Sequence, residues 1–135
     1  MKAWFIDANV FLRFFAVDDV RQYEQAARIL RQAAEGELRL VCGPPVLFEI
    51  AWTLRVAHKL SKDSVLEVLQ SIFAWPGIDW IDRDVVRAAL VLAQQSGVEF
   101  ADSYIAASAR AAECDGVATF NLKDFKRLGL RIAEF

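Results

Sequence analysis

The stretch Ala3-Trp4-Phe5-Ile6-Asp7 is an apolar run that ends at an acid. A continuously apolar run is typical of a parallel strand that is covered on both faces. Ligand sites of open parallel sheets lie beyond the carboxyl ends of the strands, and Asp7 follows the first strand at that end. The stretch therefore predicts a parallel α/β fold with a functional acid at one edge of its sheet.

The rest of the chain alternates strand and helix patterns. Further short apolar runs predict strands at 38–42, 78–81 and 116–119, with a fifth at 131–134. Helical patterns between them begin near Asp19, Pro44, Ser61 and Asp82, residue types that are common in the caps and first turns of helices; another helix covers 101–113. This alternation predicts one α/β domain over residues 1–135, with a mainly parallel sheet of four to five strands.

Composition narrows the functional classes. The chain has 135 residues and a net charge of −2, so it lacks the broad basic surface that drives non-specific nucleic-acid binding. A single histidine and two widely spaced cysteines argue against a Ser-His-Asp or Cys-His mechanism and against a zinc site. No segment has the roughly 18 to 20 uninterrupted apolar residues that span a bilayer. We expect a cytoplasmic protein without a membrane segment.

Four acids stand where apolar or neutral residues are usual: Asp7, Glu49, Asp102 and Asp124. An unpaired carboxylate is costly to desolvate, and several carboxylates that converge repel one another unless they share a cation. Oxygen ligands of this kind favour Mg²⁺ or Mn²⁺. The pattern therefore predicts a metal site that performs phosphoryl chemistry.

Each of the four acids also has a purely structural interpretation. Asp7 can cap the helix that begins at Ala8, and Asp102 can complement a helix dipole. Glu49, within the apolar helix, can be a buried carboxylate paired with a distant arginine.

The fourth position has the most alternatives. Asp124 can form a capping pair with Asn121, three residues earlier. Asn121 or Thr119 can then take the place of Asp124 as a metal ligand, and Glu99 can bind the metal directly or through water.

Taken together, these motifs resemble a PIN domain, and more narrowly a VapC-type toxin of a toxin–antitoxin pair. The segments that carry the resemblance are Asp7-Ala8-Asn9-Val10, Glu49, 100–107 and 119–125. The resemblance implies a three-layer α/β/α sandwich and a Mg²⁺- or Mn²⁺-dependent ribonuclease. It also implies a homodimer and a small VapB-like antitoxin that covers the site.

The resemblance assigns the site residue by residue. Asp7, Glu49 and Asp102 match the three central metal-binding acids, and Asn9 matches the polar residue beside the first. Asn121 stands where many relatives carry an acid, and Asp124 is the nearest acid to it. The aromatic stretch 11–16 would suit a groove for a helix of the antitoxin.

Two other functions compete with this interpretation. A catalytically silent PIN-like binding module would keep the fold and lack cleavage. A receiver-like signalling domain would carry an acidic pair directly after the first strand, whereas Asp7 is followed by Ala8.

Overall fold

The computed structural model describes every residue from Met1 to Phe135. It contains three strands, β1 (Ala3–Phe5), β2 (Arg39–Cys42) and β3 (Ile78–Trp80). Seven helices accompany them: α1 (Ala8–Phe15), α2 (Val20–Ala34), α3 (Pro44–Val56), α4 (Lys62–Phe73), α5 (Arg83–Ser96), α6 (Phe100–Ala111) and α7 (Leu122–Arg127). The predicted α/β fold with a parallel sheet is confirmed.

The chain divides into two compact units, Met1–Asp82 and Arg83–Phe135, named here the N-terminal and the C-terminal unit. The expectation of a single domain over residues 1–135 stays a prediction.

The N-terminal unit contains the whole sheet, in the order β1-β2-β3 with both pairs parallel. Trp4 pairs with Leu40, and Cys42 pairs with Trp80. Helix α1 packs on α2 and on α3, which in turn packs on α4. Fully buried side chains from β2, α3 and α4, such as Leu40, Leu47 and Leu69, form the core of this unit.

Several helix starts follow the predicted cap chemistry. The side chain of Asp19 accepts a hydrogen bond from the Gln22 amide at 3.0 Å, and Ser61 accepts one from the Ser64 amide at 3.1 Å. Asp82 was expected to cap α5, and that expectation is wrong. Its φ of 54° is incompatible with the extended backbone of an N-cap residue.

The aromatic stretch 11–16 is largely used in packing. Phe11 is buried, and the ring of Phe14 stacks on Tyr23 and contacts Trp75 edge-on. The indole of Trp75 donates to the carbonyl of Leu30 at 2.9 Å, which fixes this aromatic cluster to α2. Core packing therefore accounts for most of the aromatic side chains that suggested an antitoxin groove.

The C-terminal unit is held by a small core of its own. Val98, Ala106, Phe125 and Leu128 are buried together, and they join α6 to α7. The predicted strands at 116–119 and 131–134 are present only as one parallel bridge, between Val117 and Ile132. Pairing stops there because the chain turns at once, with the hydroxyl of Thr119 accepting a hydrogen bond from the Asn121 amide. The sheet therefore has three strands instead of the expected four to five.

The two cysteines differ in environment. Cys42 is fully buried at the end of β2, and burial raises the pKa of its thiol to about 12, despite an opposing hydrogen bond to the backbone of Gly43. Cys114 follows α6 and is exposed.

Candidate metal-binding acids

Two carboxylates of the C-terminal unit accept hydrogen bonds from the same asparagine side chain. Asn121 caps α7, and its Nδ2 donates to Asp124 Oδ2 at 3.0 Å and to Asp102 Oδ2 at 3.3 Å. The oxygen of the same amide accepts from the Asp124 backbone at 3.3 Å. Asn121 therefore holds Asp102 of α6 and Asp124 of α7 at one place.

The backbone around α6 explains the position of Asp102. Glu99 is the N-cap residue of α6, and its carbonyl accepts from the backbone amide of Ser103. The Ser103 side chain is fully buried and donates to the carbonyl of Val98 at 3.3 Å. These contacts hold the first turn of α6 rigid, and Asp102 is the acid of that turn.

The electrostatics of Asp102 are those of a carboxylate that lacks a counter-charge. Partial burial raises the pKa of Asp102 above its usual value, and the negative charges of Asp124 and Glu99 raise it further. No ion pair to Asp102 or Asp124 is present in the structure. A bound cation would offset both the repulsion and the cost of burial.

The donor set of the C-terminal unit fits magnesium. Mg²⁺ is usually held by one or two carboxylates, with waters and substrate phosphates completing its octahedron. Asp102 and Asp124 supply two carboxylates, with Asn121 beside them. No group of three or more His, Cys, Asp or Glu side chains in the chain could hold a metal ion. A cation at this place would therefore depend on water and substrate oxygens as well.

The alternatives for the fourth position have distinct roles in the structure. Asn121 binds both carboxylates, as described above. Thr119 shapes the turn that leads into α7, because its hydroxyl accepts from the Asn121 amide at 3.0 Å. Glu99 acts on Asp102 through its charge.

In the N-terminal unit, Asp7 is both a helix cap and an available acid. Its Oδ1 accepts from the backbone of Ala8 at 2.8 Å, which caps α1. Its Oδ2 lies 3.5 Å from Nδ2 of Asn9, and the side chain is exposed. The capping interpretation is therefore correct, and it uses only one of the two carboxylate oxygens.

The structure excludes the structural alternative for Glu49, a buried carboxylate paired with an arginine. Glu49 is exposed on α3 and has no hydrogen bond or ion pair. The alternative of a buried carboxylate paired with an arginine rested on its apolar neighbours, but Trp52, three residues later, is itself 65% exposed. Helix α3 carries apolar residues on exposed faces as well as on its packed face. Apolar neighbours therefore do not indicate that a residue of α3 is buried.

The basic side chains of α1, α6 and α7, which could contact a phosphate, fall into two groups. Arg13 and Arg110 already have partners: Arg13 bonds Gln22 and pairs with Asp18 at 3.8 Å, and Arg110 donates to the carbonyl of Leu128 at 2.6 Å. The other group is exposed on α7 and consists of Lys123, Lys126 and Arg127.

Comparison with known families identifies the domain to which these helices and strands belong. The chain matches the PIN domain family over residues 4–130, nearly its whole length. This chain belongs to the PIN domain family. PIN domains are a family of nucleases that typically use a divalent metal.

The match to the PIN domain covers most of both units. The chain has no match among curated proteins. None of its helices combines the length and the apolar character needed to cross a membrane.

Proposed function

We propose that this PIN domain is a Mg²⁺- or Mn²⁺-dependent endoribonuclease that acts as the toxin of a toxin–antitoxin pair. The observation that supports it most directly is the pair of carboxylates held by Asn121, one of which, Asp102, has a raised pKa. Carboxylates with a perturbed pKa are common at functional sites, and a cation bound between these two would offset their repulsion.

Each residue has a role in this proposal. When bound, the cation supplies positive charge to the scissile phosphate and makes the attacking water more acidic. We assign Asp7, Glu49 and Asp102 as its central ligands because they match the metal-binding acids of VapC-type proteins, and Asp124 as the fourth ligand. Asn9 orients the carboxylate of Asp7, while Asn121 keeps Asp102 and Asp124 in register.

The toxin role rests on the motifs that resemble VapC-type proteins and on exposed apolar surface. Trp52 and Val56 lie one turn apart on α3 and are 65% and 54% exposed. Such a surface favours a protein partner, and we propose a homodimer together with a VapB-like antitoxin as its partners. An arginine of the antitoxin would neutralise the acids, because its guanidinium matches carboxylates.

Cleavage of single-stranded RNA in Mg²⁺, in Mn²⁺ and in EDTA tests the enzymatic part of the proposal. We expect cleavage with either metal and none in EDTA. Asp102→Asn should abolish it, whereas Glu67→Gln, an exposed acid on α4, should cleave like the wild type. Equal cleavage in EDTA would refute metal dependence.

A catalytically silent PIN-like binding module is the second candidate. It is favoured by the lack of any group of three or more acids, histidines or cysteines able to hold a metal. The same assay separates the two functions, because a silent module would bind RNA without cleaving it in either metal.

A further inference from the structure

A cavity of about 400 Å³ that is open to solvent lies between α1 and α2 in the N-terminal unit. We propose that it binds one unpaired nucleobase of the RNA, next to the nucleotide that is cleaved. This assignment rests on the nuclease function proposed above. The volume lies within the range of small-ligand sites in proteins.

The floor of the cavity is apolar. Val10 of α1 and Ala26 and Ile29 of α2 line it, with Ala26 buried and the other two half-buried. Unpaired bases expose flat faces that are largely apolar, and they are bound by proteins through these faces and through their hydrogen-bonding edges. The apolar floor can therefore contact the flat face of a base.

Three amide side chains line the rim, and each has hydrogen-bonding capacity left. Nδ2 of Asn9 is directed to Asp7, which leaves its oxygen as an acceptor. The oxygen of Gln22 accepts from Nε of Arg13, which leaves its NH₂ group as a donor. The side chain of Gln25 has no hydrogen bond within the protein, so both its donor and its acceptor are available.

Adenine fits this inventory, and we take it as the base to be tested. An Asn or Gln amide matches adenine by donating to N7 while it accepts from the N6 amino group. Gln25 can make both bonds, because neither end of its amide is engaged. Asn9 and Gln22 add one acceptor and one donor.

The charge of Arg13 indicates where the phosphate of the bound nucleotide would lie. Arg13 is the only charged residue that lines the cavity. Its ion pair with Asp18, at 3.8 Å between side chains that are 39% and 60% exposed, is weak and is easily exchanged for a phosphate. The phosphate of a nucleotide whose base occupies the cavity would therefore have Arg13 beside it.

Asn9 connects the cavity to the acids. It lines the cavity and also contacts Asp7, a ligand in the proposed metal site. A base bound there would therefore lie beside an acid of the proposed site, which is why we assign it to a nucleotide next to the one that is cleaved. A protein helix is a less suitable occupant, because three amides and an arginine surround the small apolar floor.

Titration of the full-length protein with each of the four nucleoside monophosphates, followed by NMR of side-chain amides, tests the site without metal or catalysis. We expect adenosine monophosphate to shift the Gln22 and Gln25 amides saturably. Gln25→Ala should weaken that binding about fivefold or more. Gln95→Ala, an exposed glutamine on α5, is the matched control and should bind like the wild type.

Sequencing of cleavage products from a random RNA pool gives the second measurement. Glu offers only acceptors, so Gln25→Glu should shift the preferred base at one position beside the cut from adenine towards cytosine. An unchanged base profile together with no nucleotide-induced shifts would overturn the proposal. Shifts caused only by an amphipathic helical peptide would overturn it in favour of a protein partner.

The two proposals fail in different ways. Nucleotide-induced shifts without RNA cleavage in any metal would refute the nuclease function and leave a nucleobase site. Cleavage without shifts at Gln22 and Gln25 would leave the nuclease function and refute the site.

Discussion

Asn121 donates to Oδ2 of Asp102 at 3.3 Å, across 19 positions of the chain. The amide that makes this bond also binds Asp124, so one neutral side chain holds two like charges together. This relationship gives Asn121 a role as a positioning residue, separate from that of the acids it orients.

Asn121 should matter for metal binding beyond its role as a helix cap. Asn121→Ala is expected to lower Mg²⁺ affinity or activity by about 10- to 100-fold, the usual cost of losing a residue that orients metal ligands. Asn121→Ser keeps a capping oxygen for α7 but lacks the NH₂ group that contacts Asp102. A metal titration in which the Ser variant equals the wild type would show that Asn121 serves only as a cap.

The loss of RNA cleavage on replacing each acid should depend on the place of that acid in the proposed site. Asp7→Asn, Glu49→Gln and Asp102→Asn should each nearly abolish RNA cleavage while circular dichroism shows an intact fold. Asp124→Asn should reduce the rate by less. Glu49 is the sharpest test, because it is exposed and has no structural contact whose loss could explain an effect. Full activity of Glu49→Gln would remove it from the site.

The raised pKa of Asp102 predicts a pH-dependent stability. In the folded, metal-free protein Asp102 binds its proton more tightly than in the unfolded chain. Its contribution to the free energy of unfolding therefore falls as pH rises from the usual Asp range through the raised pKa.

Asp102→Asn removes this contribution. The variant should match the wild type at low pH and exceed it at neutral pH, by less than about 1 kcal/mol because solvent screens a partly exposed group. Urea unfolding in EDTA at several pH values measures this, with Glu67→Gln as control. Saturating Mg²⁺ should reverse the order, because the cation stabilises the charged carboxylate. A variant that is less stable at neutral pH in EDTA would contradict the assigned electrostatics.

Substitutions of Gly77 and Gly36 can be compared to test the packing of the N-terminal unit. Both have positive φ, at 85° and 75°, but a Cβ at Gly77 would meet the Ala33 carbonyl oxygen at 2.1 Å, whereas one at Gly36 meets nothing within 4 Å. Gly36→Ala should cost about 1 to 2 kcal/mol of stability from the left-handed backbone. Gly77→Ala should cost about 3 kcal/mol or more, since strain and overlap add. Equal costs in thermal unfolding would contradict the close approach of Gly77 to α2.

Co-expression with the product of a neighbouring short reading frame tests the toxin role. We expect one complex in size exclusion and loss of RNA cleavage in that complex. Trp52→Ala should weaken assembly if the exposed surface of α3 is used, while Trp75→Ala should act through stability instead, because that indole is bonded to Leu30. A chain that stays monomeric and fully active with that product present would refute the partner.

Local chemistry explains which elements the sequence could predict. The apolar run before Asp7, the prolines that open α3 and the cap at Ser61 each act within a few residues, and each element formed near its predicted place. The strand at 116–119 could not be judged in this way, because its length depends on a partner segment and on the turn at Thr119.

The sequence predicts the residue types of the candidate site, but it does not predict their environment. The resemblance puts Asp102 and Asp124 in one site, and Asn121 donates to both; the same amide also forms the capping pair that competes with the metal interpretation. The alternative of a buried Glu49 is wrong because hydrophobic neighbours along a helix do not reveal which of its faces are packed. The glutamines of the α1–α2 cavity gave no motif at all.

The two cysteines differ in exposure, so the protein has one thiol that can be labelled chemically. With a pKa of about 12, only on the order of one Cys42 thiol in 10⁵ is ionised at neutral pH, and the side chain is fully buried. Maleimide reagents should therefore attach a fluorophore or spin label to Cys114 alone, without any mutation of the natural sequence. Such a label would lie in the same unit as Asp102, Asn121 and Asp124, where it can follow metal and RNA binding by spectroscopy.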